Sequence, residues 1–132
     1  MDNRKHKGVW VFVEQRDGEI QKVSLELLGK GRELADILKT ELTAILLGDN
    51  VKKISNELIY YGADVVILGE DKLLNLYATE PYAKVMTEII EKRKPEILLF
   101  GATAIGRDLA PRISARIHTG LTADCTSLEI EG

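Results

Sequence analysis

The sequence predicts an α/β fold of the doubly wound (Rossmann-like) type, a mostly parallel sheet with helices on both faces. Five short apolar runs recur along the 132 residues, at 8–13, 42–47, 64–68, 96–100 and 125–130. Segments with helical periodicity separate most of them, and alternating strands and helices are typical of a parallel sheet. Each run is mostly apolar throughout, which indicates strands buried on both faces. The length fits a single domain.

Composition narrows the class of protein. The net charge is −3, with 45% hydrophobic and 30% charged residues, as in ordinary soluble domains. This balance argues against broad binding to nucleic acid or to an anionic membrane. The single cysteine, Cys125, excludes an internal disulfide and suits a reducing compartment. Because no apolar run approaches the roughly 20 residues of a membrane helix, we expect a cytoplasmic protein without membrane insertion.

The first strand continues into a predicted hairpin and helix. Asp17 and Gly18 form a tight-turn dipeptide after residues 8–13, and a short return arm follows. Ser24 is the expected N-cap of a helix that ends near residue 40. The apolar face of this helix comprises Leu27, Gly31, Leu34, Ala35 and Leu38.

Two glycines lie inside that first helix. Gly29 and Gly31 each cost about 1 kcal/mol there relative to alanine. Close packing of the helix on the sheet is the simpler explanation. A stretch of backbone left open to a ligand or partner is the alternative.

Capping residues bracket two further helices. Asn50 and Gly62 flank a helical segment as N-cap and C-terminal glycine. Thr79 caps the third helix, and Pro81 lies in its first turn. The cationic residues 92–94 suit the negative end of the helix dipole, so we interpret them as structural.

The strand order is predicted as 3-2-1-4-5, counting the five strands along the chain. In such sheets ligands and partners lie beyond the carboxyl ends of the strands, where the order reverses. That point falls between the first and fourth strands. It is flanked by the loops at 14–16 and 101–106.

The second of these loops only superficially resembles a phosphate-binding loop. Gly101 and Gly106 have the P-loop spacing, but Arg107 and Asp108 stand where Lys and Ser or Thr are needed. The Asp108 carboxylate would also repel a phosphate. Because the G-x-G-x-x-G fingerprint is absent as well, nucleoside triphosphate hydrolysis and dinucleotide binding are disfavoured.

A helix with a polar ridge follows this loop. Proline is expected only in a first turn, so Pro111 predicts a helix start near Arg107 or Asp108, with Asp108 as candidate N-cap. Asp108, Arg112 and Arg116 are spaced four apart and share one ridge. This ridge is either an exposed ladder of ion pairs or a docking surface for an acidic or phosphorylated partner. The buried face is expected to comprise Leu109, Ala110, Ile113 and Ile117.

No catalytic or metal-binding constellation is evident. His6, His118 and Cys125 lack the spacing of metal ligands. Cys125 has no evident acid–base partner, and neither a triad nor a carboxylate pair is recognisable. We therefore expect no catalytic residue and no metal.

The long motif at 101–116, followed by 119–125, resembles the N-terminal domain of the α subunit of electron transfer flavoproteins. The resemblance extends to 9–14 and 62–66 and so covers nearly the whole chain. It implies an FAD-containing heterodimer with a similarly folded β subunit. Such a heterodimer passes electrons between NADH or flavin dehydrogenases, such as acyl-CoA dehydrogenase, and other redox partners.

The resemblance also implies where the cofactors lie. In the family, FAD belongs mainly to a C-terminal domain of the α subunit, and residues 1–132 correspond to the first domain alone. In flavin-bifurcating members the β subunit carries a second FAD at which NADH reacts, and whether this chain belongs to them stays open. The residues that would border a cofactor are Gly101, Ala102, Thr103, Arg107, Thr122, Ala123 and Asp124.

Two functional hypotheses follow. The first is a scaffold domain whose loops after the first and fourth strands form the β-subunit interface. The second is a free-standing adenine-nucleotide-binding domain. Domains of that kind place a glycine- and serine-rich phosphate loop after the same strands, and the 101–106 loop lacks the expected Ser or Thr ending.

Overall fold

The computed structural model describes residues 8–117 and 127–130. It contains seven strands and four α-helices in these residues. The strands are β1 Val9–Phe12, β2 Gln15–Arg16, β3 Glu19–Ile20, β4 Leu42–Gly48, β5 Val65–Glu70, β6 Ile97–Gly101 and β7 Ser127–Ile130. The helices are α1 Lys22–Leu38, α2 Ser55–Tyr60, α3 Thr79–Arg93 and α4 Ala104–Arg116, with 3-10 turns at Lys52–Ile54 and Lys72–Leu74.

The central sheet has the order β5-β4-β1-β6-β7, and all four neighbouring pairs are parallel. Strands β2 and β3 form a separate antiparallel hairpin. When only the five sheet strands are counted along the chain, the order is the predicted 3-2-1-4-5. The order reverses at β1, which pairs with β4 on one side and β6 on the other.

Helices cover both faces of the sheet. Successive side chains of β1 point to opposite faces, so this strand contributes to the core on each side. Trp10 and Phe12 face a core that includes Met86 of α3 and Ile113 of α4. Val9 and Val11 face the other core, with Leu27 of α1 and Leu58 of α2. The predicted fold class is thus confirmed.

Gly31 shows why α1 contains a buried glycine. A Cβ atom at this position would lie 2.8 Å from Leu42 Cδ1 and 3.1 Å from Val11 Cγ2. The helix therefore approaches the sheet too closely for a larger residue, which confirms the packing explanation. A Cβ at Gly29, by contrast, would meet no atom within 4 Å.

Three predicted caps were wrong. Helix α1 begins at Lys22, and Ser24 lies buried inside it. Asn50 has a φ of 62° and precedes a 3-10 turn whose N-cap is Val51. Thr79 is the first residue of α3 rather than its cap. Ser24 and Thr79 use their hydroxyls for tertiary hydrogen bonds, which local capping patterns do not reveal.

The predicted start of α4 was also wrong. The helix begins at Ala104, because the Thr103 side chain caps it by accepting a hydrogen bond from Gly106 N at 3.0 Å. Pro111 consequently lies inside the helix, on an exposed position. The apolar face compensates for the missing amide donor, and its four residues are buried as predicted: Leu109, Ala110, Ile113 and Ile117.

Candidate functional site

The point where the strand order reverses lies between the carboxyl ends of β1 and β6. Glu14 follows β1 closely, and Gly101 is the last residue of β6. Thr103 stands between β6 and α4. These three residues connect the two loops that the sequence places at the functional edge.

Glu14 is only 8% exposed, and its backbone is fixed to α1. Its amide donates to Ser24 Oγ at 2.6 Å, and the Ser24 hydroxyl donates to the Glu14 carbonyl oxygen at 3.1 Å. That carbonyl also accepts from the Gln21 amide at 2.9 Å. The amide and the carbonyl oxygen of Glu14 thus both bind the buried Ser24 side chain, and this fixes the turn after β1 to α1.

The Glu14 side chain reaches the N-terminus of α4. Its Oε2 atom accepts a hydrogen bond from the Thr103 hydroxyl at 2.5 Å, and the same hydroxyl oxygen accepts from Gly106 N. A carboxylate near a helix N-terminus interacts favourably with the helix dipole. Glu14 thus places a negative charge at the kind of position where nucleotide-binding folds hold a phosphate.

The loop at 101–106 is packed shut rather than open. A Cβ on Gly106 would lie 2.0 Å from the Gly101 carbonyl oxygen, so no other residue fits. A Cβ on Gly101 would lie 2.7 Å from Val23 Cγ2. The two glycines allow close contact of the chain with itself, not with a phosphate.

The predicted site residues fall into three groups. Gly101 is buried, and Ala102 and Thr103 are half-buried in the same loop. Arg107 is exposed on the first turn of α4, and its amide donates to the Thr103 carbonyl oxygen at 2.8 Å. The remaining predicted site residues, Thr122, Ala123 and Asp124, lie outside the described residues. The same is true of His6, His118 and Cys125.

The polar ridge of α4 contacts α3. Arg112 and Arg116 each form an ion pair with Glu80. Asp108 accepts hydrogen bonds from the hydroxyls of Thr79 and Tyr77. The ridge therefore forms ion pairs, which is one of the two alternatives predicted from the sequence. The acidic partner, however, is Glu80 of the adjacent helix rather than Asp108.

These contacts shift two pKa values. The hydrogen bond from Thr79, followed by that from Tyr77, lowers the pKa of the Asp108 carboxyl. Burial, followed by the neighbouring Asp108, raises the pKa of the Tyr77 phenol above its ordinary value. Asp108 is therefore ionised and the Tyr77 phenol is neutral at neutral pH, which suits the hydrogen bond between them.

A cavity of about 280 Å³ adjoins Glu14. It lies between the turn after β1, the loop at 75–77 and the start of α4. Sequence reasoning did not select any of its wall residues as site residues. The available signal was an acidic residue directly after a fully apolar strand. The residues that line the cavity include Phe12, Glu14, Arg16, Leu76, Tyr77 and Tyr82.

Neither a cluster of metal ligands nor a membrane-spanning helix is present in the part of the chain that the structure describes. Within 8–117 and 127–130, no group of three or more His, Cys, Asp or Glu side chains is arranged to hold a metal ion. Over the same ranges, no helix has the length and apolar character needed to cross a membrane.

Comparison with solved structures supports the fold. The chain superposes on the universal stress protein from Archaeoglobus fulgidus in complex with dAMP with a TM-score of 0.60, covering 96% of this chain and 98% of that one. The sequence identity is only 12%, so this likeness shows the fold alone.

Sequence comparison shows the family. The chain is 60% identical over 131 residues to the electron transfer flavoprotein subunit alpha of Clostridium acetobutylicum. It is 49% identical over 130 residues to the acryloyl-CoA reductase electron transfer subunit beta of Anaerotignum propionicum. These alignments cover 99% and 98% of the chain but only 39% and 35% of the relatives. The family model described as the electron transfer flavoprotein domain matches residues 9–132, and the chain belongs to that family.

Proposed function

We propose that this chain is the N-terminal domain of an electron transfer flavoprotein α subunit and supplies the scaffold and β-subunit interface of an FAD-containing electron carrier. The observation that carries the proposal is the family match over residues 9–132 together with 60% identity to such an α subunit. The role of the whole protein is proposed because the chain spans only 39% of that relative.

The site geometry supports a role without catalysis in this domain. Glu14 and Thr103 close the switch point with a hydrogen bond inside the chain, and Gly106 packs against Gly101. The adjoining cavity, at about 280 Å³, is near the lower limit for a drug-sized ligand, and FAD is larger than that. We propose that FAD is held mainly by a further α-subunit domain and by the β subunit.

The exposed edge of the site is the proposed contact surface. Arg107 projects from α4 beside the closed loop and forms no ion pair with the described residues, whereas Arg112 and Arg116 already pair with Glu80. The arginine best placed to meet a partner is therefore Arg107. The residues proposed to border the cofactor in the assembled protein are Gly101, Ala102, Thr103, Arg107, Thr122, Ala123 and Asp124.

The names of the relatives support a proposal for the redox partners. One relative is an electron transfer subunit of an acryloyl-CoA reductase. We propose a flavin dehydrogenase of the acyl-CoA type as electron partner and NADH as a further donor or acceptor in the complex. A cytoplasmic location agrees with this role.

A chimera tests the proposal. In the Clostridium acetobutylicum α subunit, the 131 matching residues are replaced by this chain. The resulting chimera is co-expressed with the β subunit of that organism. We expect a yellow heterodimer that is reduced by its dehydrogenase at a rate within about tenfold of the parent, because a 60% identical scaffold preserves the interface. A chimera that folds but neither pairs nor retains flavin contradicts the proposal.

The adenine-nucleotide alternative has less support. Its basis is the shared fold with a stress protein solved with dAMP. The Glu14 carboxylate at the N-terminus of α4 opposes a phosphate there, and the loop is closed. Calorimetry with AMP and ATP separates the two hypotheses, since micromolar binding to this chain would favour the alternative.

A further inference from the structure

The cavity beside Glu14 has aromatic walls whose polar ends are occupied. The Tyr77 hydroxyl donates to Asp108 at 2.6 Å, and the Tyr82 hydroxyl donates to the Leu74 carbonyl oxygen at 2.6 Å. The two rings meet edge to face with centroids 5.0 Å apart, and Phe12 adjoins Tyr82 at 6.3 Å. The hydroxyls are therefore not free for a ligand. The ring of Tyr77 is partly exposed and is the most accessible of the three, whereas Phe12 and Tyr82 are 1% and 5% exposed and form the base of the cavity.

Among the less exposed polar side chains of the cavity wall, Glu14 can still accept a hydrogen bond. Gln15 is satisfied at both ends, donating to the Leu47 carbonyl oxygen at 3.2 Å and accepting from the Gly18 amide at 2.9 Å. Glu14 uses Oε2 for Thr103, whereas Oε1 accepts no hydrogen bond from any residue in the described part of the chain. Glu14 as a whole is only 8% exposed, but its Oε1 is not among the sealed, unpaired polar atoms of the described residues, so solvent or the N–H donor of a ligand can reach it from the cavity.

A planar cation matches both the acceptor oxygen of Glu14 and the aromatic wall of the cavity. Guanidinium and amidinium groups donate two parallel hydrogen bonds to a carboxylate and stack against aromatic rings. The buried Glu14 disfavours an anion, and the opposite charges of Arg16 and Asp17 at the mouth are both exposed and screened by solvent. The size of about 280 Å³ suits a small planar group rather than a large cofactor.

We propose that this cavity binds a planar guanidinium or amidinium group, with Glu14 as the carboxylate partner and the rings of Phe12, Tyr77 and Tyr82 as the walls. The site is independent of the electron-carrier role. The group comes either from an arginine side chain of a partner protein or from a free small molecule.

Amide NMR titration of the whole chain with benzamidine tests the proposal, with benzoate as the anion of matching shape. Benzamidine is expected to shift cavity resonances saturably with a Kd of about 1 mM or tighter, whereas benzoate leaves them unshifted. Glu14→Gln is expected to weaken benzamidine binding at least about tenfold, because it removes the charge but keeps the shape. The control Glu19→Gln, an exposed carboxylate outside the cavity wall, stays within about twofold.

A second variant keeps the test independent of any folding defect in Glu14→Gln. Leu76 lines the mouth and is 70% exposed, so Leu76→Ala leaves the fold intact and is expected to weaken benzamidine about threefold. No saturable shift by about 20 mM benzamidine, equal binding of benzoate, or unchanged binding by a folded Glu14→Gln chain would each overturn the proposal.

The source of the group is read from two further probes. Free arginine carries a carboxylate that Arg16 at the mouth can meet, whereas acetyl-arginine amide presents the side chain as a protein does. Tighter binding of free arginine identifies a small molecule. Equal or tighter binding of the amide identifies a partner's side chain.

Discussion

The Thr103 hydroxyl donates a hydrogen bond to Glu14 Oε2 across 89 residues of sequence. The bond joins the loop after β1 to the loop after β6, at the point where the strand order reverses. The same hydroxyl caps α4. A single side chain therefore sets both the start of the helix and the closed state of the site.

Thr103→Val tests this double role. Valine keeps the shape but removes the cap and leaves the Glu14 carboxylate short of a donor. The free energy of unfolding is expected to fall by about 2 kcal/mol in a urea titration. Thr103→Ser, which retains the hydroxyl, should stay within about 0.5 kcal/mol. Equal stability of the Val and Ser variants would show that the hydroxyl contributes nothing.

Gly106→Ala probes the close packing of the loop. The new Cβ would lie 2.0 Å from the Gly101 carbonyl oxygen, so the backbone must shift. We expect a loss of about 3 kcal/mol or more in stability, measured by thermal or urea unfolding.

Gly29→Ala is the matched control for that variant. This glycine also lies in a helix, but its Cβ would meet no atom within 4 Å. The substitution is expected to stabilise the chain by about 0.5–1 kcal/mol through helix propensity. If both variants changed stability alike, the contact at Gly106 would not be the cause.

Asp64 predicts a pH dependence of stability. Its Oδ2 accepts from the Leu42 amide at 2.9 Å and from Arg32 at 3.0 Å, and the amide, followed by Arg32, lowers the pKa of this carboxyl below 3.8. The unfolded chain therefore binds the proton more tightly. The stabilisation is full above about pH 4 and is lost as the pH falls through the folded-state pKa.

Asp64→Asn should flatten this dependence. The variant is expected to lose about 1 kcal/mol at pH 7, a modest figure because the side chain is 44% exposed, and to match the parent more closely near pH 2. Urea unfolding from pH 2 to 7 measures it, with the exposed Asp49→Asn as control. A parent and Asp64→Asn pair that run parallel across this range would rule out the linkage.

Glu80 tests how much the seam between α3 and α4 contributes. It pairs with Arg112 and Arg116, but all three side chains are accessible to solvent. Glu80→Gln is therefore expected to lower stability by less than about 1 kcal/mol, and the difference should shrink in 1 M salt. A loss above about 3 kcal/mol would mean that the seam is a buried ion network.

Periodicity and strand character were enough to predict the sheet order and the apolar face of α4, because both depend on local pattern and on the rules of parallel connection. The errors occurred where a polar side chain has a distant partner. Ser24 bonds to Glu14, and Thr79 bonds to Asp108, so neither acts as the predicted cap. Pro111 misplaced the start of α4 because the cap at Thr103 and a buried helix face outweigh one missing amide donor.

The candidate site was predicted only in part. The predicted topology placed the loops after β1 and β6 at the switch point, as the structure has them. That Gly101 and Thr103 border a cofactor remains a prediction. Glu14 was missed as a site residue, because nothing local shows that its carboxylate crosses to the other loop. The pairing of Arg112 with Glu80 likewise depends on how two helices lie side by side.

The most direct test of the proposed interface is the affinity of this chain for the β subunit of its own organism, measured by calorimetry. The measurement is repeated with the variants Arg107→Ala and Arg93→Ala. Both arginines are exposed, but only Arg107 adjoins the closed loop. A stable one-to-one complex is predicted, with affinity reduced at least about tenfold by Arg107→Ala and within about twofold of the parent for Arg93→Ala. No complex at about 100 μM of each chain, or equal effects of the two substitutions, would contradict the interface.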